Sequence, residues 1–173
     1  SMTGPAPDKS TIDFLSRFTA SEQFEKVFKE GMGLVEETAN YLDGPGRRDA
    51  RLLDRNGAVA YATESMRLTT RLMQLASWLL LQRAIGTGEM SGEEARKEKH
   101  RISLSDIGRG HELVGSSQLP EALVELVERS IKLHGRIQKL DLMLNVQSKA
   151  EARAENPLAP HLDRIATPFG GRR

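Results

Sequence analysis

The chain has 173 residues, enough for one domain with a real hydrophobic core and too few for two domains of ordinary size. Its 25 basic and 24 acidic residues nearly cancel, so no overall field favours nucleic acid or an anionic membrane, and partners must be recognised by local surface. The absence of Cys excludes disulfides, thiolate chemistry and Cys-ligated metal, and it fits a reducing, cytoplasmic setting. The longest apolar run, Trp78 to Leu81, is far short of the roughly 20 residues of a membrane span, and the N-terminus carries no export signal. Ser1 ahead of Met2 reads as the remnant of a cleaved tag and is set aside.

Residues 1–10, with Pro5 and Pro7, are expected to be disordered. Ser10 and Asp13 have capping-box spacing ahead of Phe14, Leu15 and Phe18, which predicts a short helix with an aromatic face. From Ser21, Phe24, Val27, Phe28, Val35, Ala39 and Leu42 recur at helical spacing until Gly44-Pro45-Gly46 ends the first long helix. The second is expected to run from Arg47 or Arg48 to Ile85, about 57 Å at 1.5 Å per residue, weakened or kinked at Asn56-Gly57.

That helix carries two adjacent stripes. One is Val59, Ala62, Met66, Thr69, Met73, Ala76 and Leu80; the other is Tyr61, Ser65, Leu68, Leu72, Leu75 and Leu79. Two stripes need partners on two sides, which predicts a homodimer. Ser91 caps a short charged helix, Glu93 to about Ile102, and Ser103 to Gln118 reads as a long connection. Pro120 opens the third long helix, with Leu126, Ser130, Leu133, Ile137, Leu140 and Leu144 as its seam, until about Ser148. The sequence thus predicts an all-α antiparallel three-helix bundle over residues 11–148, short accessory helices, and a disordered tail over residues 149–173.

No set of residues supports catalysis, a metal or a cofactor. His100, His111, His134 and His161 are too scattered for a local metal motif, and His134 with Asp141 reads as a polar interruption of a seam. Gly108-Arg109-Gly110 lacks the context of a phosphate loop, and no His stands ready to activate a Ser or Thr. Two protein-binding candidates remain. A ridge of Glu64, Arg67, Arg71, Gln74 and Trp78 lies at helical spacing away from the apolar stripes, and Arg and Trp are frequent interface anchors. The alternative is that Trp78 closes the bundle and the arginines pair with a neighbouring helix. In the tail, Pro157, Leu158 and Phe169 belong to small apolar clusters of the kind found in short recognition segments.

The run Ala60-Tyr61-Ala62-Thr63-Glu64-Ser65-Met66-Arg67-Leu68-Thr69-Thr70-Arg71-Leu72-Met73-Gln74, followed by Ala76-Ser77-Trp78-Leu79-Leu80, resembles the alphaproteobacterial RcdA family, the regulators of CtrA degradation. The likeness extends through Glu30-Gly31-Met32, Leu34-Val35-Glu36-Glu37, Tyr41-Leu42-Asp43-Gly44, Gly46-Arg47 and Gly88-Glu89-Met90. It implies a dimeric three-helix bundle acting as an adaptor for the protease ClpXP. The implied partners are the ClpX unfoldase, the response regulator CpdR and cargo or further adaptor proteins, and the implied setting is the cytoplasm with recruitment to the cell pole. Two other classes remain open on the residues alone. A dimeric scaffold or transcription-associated regulator would need a basic recognition stripe, and Glu94 and Glu98 dilute the one from Lys97 to Arg101. A hydrolase would need a pocket of convergent polar groups.

Overall fold

A computed structural model describes residues 9–102, 104 and 113–155. Among these residues the fold is helical without strands: α1 (Lys9–Thr19), α2 (Glu22–Asp43), α3 (Pro45–Arg51), α4 (Arg55–Gly86), α5 (Gly92–Arg101) and α6 (Glu121–Glu155), with a single 3-10 turn at Ser116–Gln118. The three long helices α2, α4 and α6 form the bundle, and α1 packs on α4 and α6.

Local chemistry sets most boundaries. Ser21 accepts from the Phe24 N–H at 3.2 Å and starts α2. Ser91 and Glu94 make a reciprocal capping box that starts α5. Helix α1 already begins at Lys9, which puts Ser10 inside the helix instead of at its cap. Helix α6 continues to Glu155, beyond the expected end near Ser148, through Lys149-Ala150-Glu151-Ala152-Arg153-Ala154-Glu155, all helix-favouring residue types.

The expected second helix is two helices. The break falls at Leu52-Leu53-Asp54, and Asn56-Gly57 lies in the first turn of α4. Asp54 is the cap: one carboxylate oxygen accepts from the Gly57 N–H at 2.9 Å and the other from Gln118 Nε2 at 2.9 Å. Gly57 leaves room for this contact: a Cβ there would stand 2.6 Å from the Gln118 side-chain oxygen, so the amide would have to shift. The dipeptide that reads as a turn is therefore a close-packing position where α4 meets the segment leading into α6.

Interhelix bonds give the chain directions. Glu37 pairs with Arg129 and Glu30 with Arg136, so α2 and α6 are antiparallel. Arg83 lies over Phe28, while Leu72 and Thr69 line a cavity with Val35 and Thr38, so α2 and α4 are antiparallel too. Arg71 bonds Ser130 and Trp78 bonds Asp141, so α4 and α6 run the same way. Gln118, just ahead of α6, bonds Asp54 at the start of α4, so both helices begin at the same end of the bundle. Phe24, Leu68, Leu75, Leu79, Leu123, Leu133 and Ile137 are fully buried at the centre, and the whole predicted seam of α6 is buried. Gly31 lets α2 approach α4 so closely that a Cβ there would stand 2.6 Å from Leu79 Cδ1.

Candidate docking face

The two stripes of α4 have different fates. Leu68, Leu72, Leu75 and Leu79 are core, whereas Val59, Met66, Met73 and Leu80 are 53–71% exposed. Between these four, Ala62 and Thr69 are exposed and Ala76 is half-buried, so the outer stripe continues at three- and four-residue steps for about 32 Å. It carries no charge in a chain that is 28% charged. Its threonines are also spent: the hydroxyls of Thr63, Thr69 and Thr70 donate to the carbonyls of Val59, Ser65 and Met66 at 2.8–2.9 Å. Bonded back to their own helix, they have no hydroxyl proton left to offer outward.

Helix α2 widens this surface. Phe28, Met32, Val35 and Leu42 are half-buried and Ala39 is exposed along the α2 edge facing α4. Between the helices lies a groove of about 180 Å³ lined by Val35, Thr38, Ala39, Thr69, Leu72, Met73 and Ala76. The buried Thr38 hydroxyl there has no hydrogen-bond partner. Small residues at 62, 69 and 76 allow a second helix to come close, and the flexible thioethers of Met66 and Met73 can fill what is left. An uncharged surface of this length exceeds the scattered apolar residues that any protein exposes, and is the candidate contact site of the fold.

The ridge lies elsewhere than its spacing suggested. Arg71 and Trp78 are each 2% exposed, so they face into the bundle against α6 and not away from it. Arg71 Nη1 donates to Ser130 at 2.8 Å, and Trp78 Nε1 donates to Asp141 at 2.9 Å. Gln74 Oε1 is buried without a partner, and Arg67 pairs with Glu64 at 2.8 Å, both partly shielded. The physical reason is that α4 is enclosed by α1, α2 and α6, so a third arc of its surface is covered as well. The matching signal is on α6: Ser130 interrupts the seam of Leu126, Leu133, Ile137 and Leu140, and Asp141 stands beside that seam eleven residues, or three helical turns, further on. Asp141 is thereby the partner of an indole, and His134 is buried in the same helix. Pro157, Leu158 and Phe169 lie outside the described residues.

Electrostatic perturbations in the fold are structural. The Arg129 hydrogen bond holds Glu37 below the usual carboxylate range. Burial, then the hydrogen bond to Asp49, pushes the Tyr41 phenol up where α2 turns into α3. Among the described residues no group of His, Cys, Asp and Glu is arranged to hold a metal, and no helix is long and apolar enough to cross a membrane.

The fold and its surface define a class: an all-helical bundle that buries Arg71 and Trp78 against α6 and leaves an uncharged stripe of α4 bare. The chain belongs to the RcdA family. Residues 15–169 match the family model described as a protein of unknown function, DUF1465. The crystal structure of RcdA from Caulobacter crescentus CB15 is 49% identical, with 75% of this chain and 96% of that chain covered and a TM-score of 0.58. No curated protein matches.

Proposed function

We propose that this protein is a dimeric adaptor in regulated proteolysis, a regulator of CtrA degradation that brings cargo to ClpXP together with ClpX and CpdR. The family supports the proteolytic setting. The observation that carries the reading is the exposed, uncharged face of α4, bordered by the apolar edge of α2. An adaptor works by holding two things near each other, which raises effective concentration without any chemistry of its own. Pairing α4 with α4 of a second copy buries Val59, Met66, Met73 and Leu80 of both chains in one isologous interface.

The test has two parts. Light scattering at micromolar concentration is expected to give a dimer for the wild type and a monomer for Met66→Glu with Met73→Glu, because four carboxylates would then be forced into one apolar seam. A wild-type monomer, or a double variant that still dimerises, overturns the α4 interface. In a reconstituted reaction, the chain is expected to accelerate ATP-dependent degradation of a family cargo by ClpXP with CpdR. No acceleration overturns the adaptor role.

A further inference from the structure

At the α1–α2 corner, a pocket of about 410 Å³ is lined by Thr19, Ala20, Phe24, Glu25, Phe28, Lys29 and Arg83. Its floor is aromatic: Phe24 is fully buried and its ring lies 6.0 Å from that of Phe28. Over Phe28 stands the Arg83 guanidinium, 4.8 Å from the ring centroid. Arg83 is exposed and forms no ion pair with a carboxylate among the described residues. Lys29, by contrast, is 3.2 Å from Glu25. Two cations against one carboxylate leave the pocket with one positive charge uncompensated, and that charge belongs to Arg83.

Arg83 also has a special place on α4. The steps from Val59 through Leu80 continue next to residue 83, so the uncharged face stops at this guanidinium. Stacking on Phe28 restrains the planar group while its N–H edges remain available for a bidentate carboxylate. The volume is at the small end for ligand sites, enough for one or two residues. The Thr19-Ala20 corner bounds one side, which suits a chain end better than a strand passing through.

We propose that this pocket binds the C-terminal end of a partner polypeptide, with the last, apolar side chain on Phe24 and Phe28 and the terminal carboxylate on Arg83. This stands apart from the α4 pairing and does not depend on it. The probe is N-acetyl-Leu-Phe with a free carboxylate, titrated into the isotope-labelled full chain and followed by amide NMR signals. Saturable shifts are expected around residues 19–29 and 83, and the C-terminal carboxamide is expected to bind about tenfold more weakly or worse. Arg83→Gln should bring the free acid down to the level of the carboxamide with the fold retained and only a small fall in melting temperature from the lost stacking on Phe28. The same titration in Met73→Glu should give the wild-type result. Equal binding of acid and carboxamide, indifference to Arg83→Gln, or shifts confined to other residues overturns the proposal. So does N-acetyl-Glu-Phe-amide binding as well as the free acid, because a side-chain carboxylate would then suffice and no chain end would be recognised.

Discussion

The inner and outer arcs of α4 invert the usual expectation. Arg71 and the sole tryptophan are turned into the bundle, with Arg67 and Gln74 half-buried beside them, and the arc with Val59, Met66, Met73 and Leu80 is turned out. Composition alone would have assigned them the other way. What decides is the neighbour: α6 offers Ser130 to a guanidinium and Asp141 to an indole, so burial leaves those donors partnered. The outer arc is left exposed among the described residues, and its threonines have already satisfied themselves.

Four measurements would break or sharpen that contrast. The largest effect is expected from Trp78→Ala, which should cost about 3–5 kcal/mol in denaturant unfolding, as large aromatic truncations in a core do. A loss under 1 kcal/mol would return Trp78 to the surface. Arg71→Ala should cost about 2–3 kcal/mol, through lost packing of its stem and a hydroxyl left without its charged donor. Arg71→Met, which keeps the volume, should cost less.

Asp54→Ala tests the turn from which both arcs take their register, and a smaller fall in melting temperature is expected. The Gly57 N–H, and then Gln118, hold the Asp54 carboxyl below its ordinary 3.8. A depressed carboxylate stabilises the fold above its unfolded pKa, and this contribution disappears as pH falls through the folded one. The difference between wild type and Asp54→Ala should therefore be full at pH 7 and shrink below about pH 4. The smallest effect on folding belongs to the outer arc: Met66→Glu or Met73→Glu should change the unfolding free energy of the isolated chain by about 0.5 kcal/mol or less. A core-sized loss at either position would erase the contrast.

Much of this architecture was legible in sequence because it rests on local signals. Ser21, Ser91 and the seam from Leu126 to Leu144 are read from spacing and capping chemistry, and the structure places them so. The two stripes of α4 were likewise legible as such, and the structure buries Leu68, Leu72, Leu75 and Leu79 and exposes Val59, Met66, Met73 and Leu80. What could not be read was long-range. Asp54 is a local cap of the same kind, missed when one helix is read through it, but nothing local to Asn56-Gly57 says that Gln118 will pack on the glycine. The parallel course of α4 and α6 depends on where the long connection takes the chain, and that fixes which helix meets the Arg71–Trp78 arc. A ridge of polar side chains on one helix is ambiguous until its counterpart on another is known. The paired positions, 71 with 130 and 78 with 141, lie seven residues apart on α4 and eleven on α6, two and three helical turns, and only together do they mark an internal contact.

The absence of charge along the outer arc has a kinetic side. A partner approaching Val59, Met66, Met73 and Leu80 would meet charge only at the Arg83 end of the face, so association there should be weakly steered, near the rates typical of neutral patches, about 10⁵–10⁶ M⁻¹s⁻¹. With a formal net charge of only +1, the whole molecule adds little long-range repulsion between copies. Raising the ionic strength should therefore leave both the rate and the strength of contact at this face nearly unchanged, whereas a ligand held by Arg83 should weaken as salt screens it.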